Sequence, residues 1–127
     1  MSGPTLAAVI VGGAFIAMGV MALLRPAQVL AYFGLHNLTP DLRNEVRAVY
    51  GGFGVALGML LMVTTTSAIG GGVRVAAGIS LAGMAGGRVY SWCLERTGHW
   101  PVVFALIEIA GAMGLLFELR HAPGVLS

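Results

Sequence analysis

The sequence predicts an all-α fold: an integral membrane bundle of four antiparallel helices, with a short interfacial helix between the first and second. Three observations carry this. Only 9% of the 127 residues are charged and 57% are hydrophobic, with a mean hydropathy of +0.89, whereas a soluble domain has about a quarter of its residues charged. Residues 5–24 run without a single charge, long enough to cross a bilayer as a helix. Glycine and alanine recur at steps of three and four in the apolar segments, which lines up small residues on one helix face where another backbone approaches. The chain reads as one domain, residues 1–127, with no linker or low-complexity tract to divide it.

The first span covers residues 5–24, with Ala8, Gly12 and Gly19 as its close-packing stripe. A cleaved signal peptide fits poorly, because no basic residue precedes the apolar run and the run exceeds a signal h-region. Arg25-Pro26 ends the helix. Pro26, Val29, Leu30 and Phe33 then recur at helical spacing, with Gly34 as the C-terminal cap. That piece is too short to span and, with Tyr32 beside it, suits the membrane interface.

Thr39-Pro40-Asp41 reads as a helix start, with Thr39 as N-cap, Pro40 in the first position and Asp41 at the positive dipole end. The second span therefore covers residues 40–64, and Asn44, Arg47, Gly51, Gly54 and Gly58 share one of its faces. Residues 64–72 read as a turn rich in Thr, Ser and Gly. The third span covers residues 73–95, with Gly83 and Gly87 as a close-packing pair. Trp92 and Trp100 flank the break at residues 96–99, and Pro101 starts a fourth span over 101–120.

Composition excludes several functions. Seven arginines and no lysine give a net charge of +2, but they are scattered rather than gathered with aromatics, so no nucleic acid is expected as a partner. Cys93 is the only cysteine, which rules out an internal disulfide and a multi-cysteine metal site; it reads as a buried, inert thiol. His36, His99 and His121 have no ligand spacing, so neither metal nor cofactor is expected. The arginines in the first and third connections outnumber those on the other side by three to two (Arg25, Arg43 and Arg96 against Arg74 and Arg120), which places both termini outside the cytoplasm.

Four charges stand inside the predicted spans: Glu45, Arg47, Arg88 and Glu108. Arg47 follows Pro40 by seven residues, Glu108 follows Pro101 by seven, and Arg88 precedes Glu95 by seven. With helices alternating in direction, all three fall on one side of the membrane, about 10 Å in from the helix ends. Each charge costs on the order of 2.5–3.5 kcal/mol to insert at mid-helix. Pairing offsets this, so Arg88 is expected to pair with Glu108, and Arg47 with Glu45 or Glu108. Asn44 and Tyr50 complete the hydrogen bonds. Fixing helix register is the plain alternative role for such a cluster. Glu118 and Arg120 read as ordinary end-of-helix charges.

The run Asn44-Glu45-x-Arg47-Ala48-x-Tyr50-Gly51-Gly52, with Gly87-Arg88 and Glu108, resembles a family of small bacterial four-helix membrane proteins known only as a domain of unknown function. More distantly, the layout is similar to DoxX-like membrane proteins, some of which are small subunits of quinone-linked enzymes. The resemblance covers nearly the whole chain. It implies the fold, a multi-pass place in the bacterial inner membrane, and a site at Glu45, Arg47, Tyr50, Arg88 and Glu108. It implies no activity.

Two functions fit these residues. In the first, the protein binds a membrane lipid or lipophilic small molecule through Asn44, Arg47, Tyr50, Arg88 and Glu108, or serves a membrane complex as accessory subunit, alone or as a homo-oligomer. In the second, it is an intramembrane acid/base enzyme, of isomerase or hydratase type, acting on a lipophilic substrate. Glu108 would then move the proton, with Glu45 beside it, Tyr50 would donate to a developing oxyanion, and Arg47 would orient a polar head. The first reading is favoured, because no nucleophile or cofactor motif accompanies the charges.

Overall fold

The structure, a computed structural model, describes residues 5–64, 69–96 and 98–121. Every regular element among the described residues is helical: α1 (Leu6–Leu24), α2 (Pro26–Ala31), α3 (Pro40–Val46), a π turn (Arg47–Gly52), α4 (Phe53–Thr64), α5 (Gly70–Leu94) and α6 (His99–His121). Three stretches are long and apolar enough to cross a membrane: Leu6–Leu24, Pro40–Val63 and His99–Glu118. α5 is longer, 25 residues or about 37 Å, but its seven glycines and two arginines leave it less apolar than these three. The chain divides into two compact units, Val9–Val63 and Met1–Ala8 with Thr64–Ser127.

In the first unit α1 and α4 lie antiparallel and nearly backbone to backbone. A Cβ on Gly58 would stand 2.5 Å from the Gly12 carbonyl oxygen, and one on Gly19 would stand 2.8 Å from the Gly51 carbonyl oxygen. The predicted small-residue faces of Gly12 and Gly19 and of Gly51, Gly54 and Gly58 are the contact. Dispersion holds this pair, from the closely approaching backbones and from Ile16, Val55, Leu61 and Met62 packed against the glycines.

The connection between them is built as the sequence predicts. α2 buries Pro26, Val29 and Leu30 and closes in a Schellman turn: Leu35 N–H donates to Leu30 O at 3.1 Å and Gly34 N–H to Ala31 O at 3.0 Å. Gly34 takes φ 77° there, a conformation that costs a side-chain-bearing residue about 1 kcal/mol or more. Thr39 Oγ1 accepts from Leu42 N–H at 3.1 Å to start α3, and Arg43 Nη1 ties the preceding loop by donating to Leu38 O at 2.7 Å. Ala22, Val29, Leu30 and Val46 form the buried cluster, with Met21, Leu38, Leu42 and Tyr50 packed on it.

The predicted second span differs in one respect. It is not a plain α-helix: the Phe53 N–H reaches back five residues to Ala48 O, and the Arg47 N–H is shared between Arg43 O and Asn44 O. The end of α1 presses into this turn at Gly51, where a Cβ would lie 2.8 Å from Leu23 Cγ.

In the second unit α5 and α6 pack antiparallel. Arg88 meets Glu108, and ten residues earlier on α5 Gly78 lies under Leu116, where a Cβ would come 2.9 Å from Leu116 Cγ. α5 begins at Gly70, three residues before the predicted start, so Gly70-Gly71-Gly72 is helix and not turn. Packing outweighs glycine's poor helix propensity here, since Gly70 and Gly71 are buried. The proposed close-packing pair Gly83 and Gly87 is overturned: a Cβ at either would meet nothing within 4 Å. Gly78 is the position where a neighbour comes close.

Burial runs opposite to that of a soluble domain. The core mixes alanines (Ala77, Ala85, Ala105, Ala112) with Leu61, Leu81 and Leu115 and holds the charged Arg74 and Glu108, while Ile10, Val63, Ile79, Leu106, Met113 and Phe117 are exposed. Large apolar side chains left outside suit a lipid solvent.

Candidate functional site

Glu108 stands midway along α6, on the face that also buries Ala105, Ala112 and Leu115. Opposite it, α5 presents Arg88 on the stripe of Arg74, Gly78, Leu81 and Ala85, residues spaced by three and four. The two helices bring these charges together. Arg88 Nε donates to Glu108 Oε2 at 2.9 Å and to Oε1 at 3.1 Å, and Arg88 Nη2 donates to Oε1 at 2.8 Å. The fork satisfies both carboxylate oxygens, with side-chain exposures of 23% and 8%.

An aromatic row begins at the pair. The Arg88 guanidinium carbon lies 5.4 Å from the Phe104 ring centroid, a cation–π distance. Phe104 stacks with Trp100 at 6.0 Å, and Trp100 with His99 at 5.2 Å. Trp92, one turn beyond Arg88 on the same face, holds its Nε1 buried without a hydrogen-bond partner. A buried donor left open costs about 1–3 kcal/mol. It is the atom at this site with bonding capacity to spare.

The remaining predicted residues fall in the other compact unit. Arg47 does not pair with Glu45. Two positions apart on a helix they point to different sides, and Glu45 is exposed. Arg47 Nε instead donates to the Leu23 carbonyl at 3.1 Å, capping the last turn of α1, where a cation also suits the helix dipole. Asn44 is exposed and completes no hydrogen bond at Arg47. Tyr50 packs against the apolar cluster of Ala22, Val29, Leu30 and Val46.

Other expectations are corrected too. Cys93 is exposed rather than buried. Of the two tryptophans expected to flank the break, Trp92 turns its Nε1 inward and Trp100 is 37% exposed. Glu118 is not an ordinary end charge: its Oε1 accepts from the Ala7 N–H at 3.0 Å, while its Oε2 is buried without a partner. Arg74, assigned to a connection, is 6% exposed within α5. Sequence reasoning missed these two. The signal was the stripe spacing, which carries Arg74 onto the face of Arg88.

A cavity of about 440 Å³ in the first unit is lined by Ala27, His36, Asn37, Leu38, Thr39 and Arg43, none of them a candidate site residue. Among the described residues no group of three or more His, Cys, Asp or Glu side chains gathers at one point.

The fold is thus that of an all-helical protein with membrane-length apolar helices and a charge pair inside a helical hairpin. The chain belongs to the family described as a domain of unknown function, DUF4345, whose model matches residues 5–119. No curated protein and no solved structure matches it.

Proposed function

We propose that this chain is a multi-pass protein of a bacterial inner membrane, with α5 as its fourth span, and that the α5–α6 hairpin binds a lipophilic ligand at Arg88, Glu108, Phe104 and Trp92. The observation that carries this is the unpartnered Trp92 Nε1, one helical turn from a satisfied charge pair that Phe104 stacks against. A ligand with an apolar body and a hydrogen-bond-accepting head, such as a carbonyl, complements that set. Val75, Ile79, Met84 and Val89 are exposed along α5, which supports contact between this helix and lipid despite its glycines.

Both oxygens of Glu108 are already engaged by Arg88, which favours binding over the acid/base reading, where the carboxylate must be open to a substrate proton. An accessory role draws support from a different feature. Gly83, Gly86 and Gly87 leave open space on α5, room for a partner helix to approach.

Native mass spectrometry of protein gently extracted from its own membranes tests the reading. A bound lipophilic molecule, lost in Trp92→Phe and in Arg88→Leu, is the expected result. Retention of the same molecule by Trp92→Phe overturns the assignment of Trp92. A stoichiometric protein in place of the small molecule favours the accessory role.

A further inference from the structure

Arg74 and Glu118 form a second polar locus, distinct from Arg88 and Glu108. Both belong to the unit of α5 and α6. Gly78 lies against Leu116; Arg74 is one turn before Gly78, and Glu118 two residues beyond Leu116. Along the antiparallel pair their levels differ by only about 3 Å. Arg74 is 6% exposed and its Nε donor has no partner; the Glu118 Oε2 acceptor is likewise buried and has no partner. The two side chains form no ion pair with each other. A buried donor and a buried acceptor of opposite charge are therefore both unsatisfied at one end of the hairpin, a costly arrangement unless a third group lies between them.

A group that satisfies both and matches their charges presents an anionic acceptor to Arg74 and a cationic N–H donor to Glu118. It must also reside near the end of the apolar runs, since Glu118 is the first charge of α6 after Glu108 and its Oε1 holds the Ala7 N–H at the start of α1. We propose that Arg74 and Glu118 hold the head group of a phospholipid bearing a primary ammonium, the phosphate on Arg74 and the ammonium on Glu118. Arginine suits phosphate through its planar fork, and Arg74 lies one turn inside the partly positive start of α5. The inference rests on the reading that these helices cross a membrane, and not on the ligand assigned to Trp92.

The test is lipid retention by full-length protein in mild detergent, followed by native mass spectrometry, with phosphatidylethanolamine, phosphatidylcholine and phosphatidylglycerol offered in equal amounts. Phosphatidylethanolamine is expected to be retained in preference by about tenfold, because the choline ammonium has no N–H and the glycerol head no cation. Glu118→Gln and Arg74→Leu should each abolish the preference, while Arg74→Lys keeps part of it and Arg88→Leu all of it. The last variant separates this site from the one at Arg88. Phosphoethanolamine without acyl chains tells the sources apart. Failure to displace the lipid marks a lipid site, and displacement at equal concentration marks a soluble head group; either upholds the chemistry. Equal retention of all three lipids by the unaltered protein overturns the proposal, and so does a preference that survives Glu118→Gln. If Arg74→Leu with Glu118→Leu is more stable than either single variant and no lipid is preferred, the two charges answer only to each other.

Discussion

Gly12 and Gly58 face each other across α1 and α4 so closely that a Cβ on Gly58 would stand 2.5 Å from the Gly12 carbonyl oxygen and 2.7 Å from Ile16 Cγ1. Backbone cannot swing aside as a flexible side chain can. Gly58→Ala should therefore destabilise the protein by about 1–3 kcal/mol, the usual range for overpacking. Gly83→Ala meets open space and should be neutral or stabilising by about 0.5–1 kcal/mol. Unfolding in mixed detergent, read by circular dichroism, compares the two; equal losses would refute the seam.

The Arg88–Glu108 fork predicts a non-additive pair. Removing one partner leaves a charge buried, which costs about 3–5 kcal/mol, whereas removing both leaves an apolar hairpin. Arg88→Leu should be more damaging alone than in combination with Glu108→Leu. A double variant no better tolerated than the single would show that the two side chains are not coupled.

Arg47 is expected to stabilise the end of α1 rather than a ligand. Arg47→Leu removes a charged hydrogen bond to the Leu23 carbonyl, worth about 1.5–3 kcal/mol when buried and less at this exposed position. Amide exchange should quicken in the last turn of α1 and at Gly51–Gly52, and ligand retention by the α5–α6 hairpin should be unchanged.

Cys93 is exposed in the last turn of α5 and is the natural reporter of orientation. On the proposed four-span topology, with both termini outside the cytoplasm, it should resist an impermeant maleimide in intact cells and react after permeabilisation. Immediate labelling would reverse the orientation.

Much of this architecture is legible in the sequence because the cues are local. Thr39-Pro40-Asp41 caps α3, Gly34 takes the left-handed turn, and the glycines at 12, 19, 51 and 58 meet as spaced. Arg88 and Glu108 were legible for another reason: charge in an apolar run needs a partner. What could not be read depends on contacts between distant segments. Gly70-Gly71-Gly72 resembles a turn until packing makes it helix, and Arg74, one residue into the predicted span, is buried by contacts that its spacing alone does not announce. Gly83 and Gly87 have the spacing of a contact but no neighbour there. The unpartnered Trp92 Nε1 has no sequence signature, since an indole donor is satisfied or not by its surroundings alone.

The π turn at Arg47–Gly52 has a consequence for how this protein can vary. Such a turn holds one residue more than an α-helix would over the same rise, and each residue of an α-helix advances the chain by about 100° around its axis. Deleting one residue there would restore regular winding and leave the helix on either side in its own phase. The same deletion inside α4 would rotate one part of the helix by about 100° against the other and turn Gly58 off the Gly12 carbonyl. The turn at exposed Ala48 and Val49 should thus accept a loss of one residue, and the glycine seam of α4 should not. A library of single-codon deletions would be depleted across Phe53–Thr64 and would keep members at Ala48 and Val49.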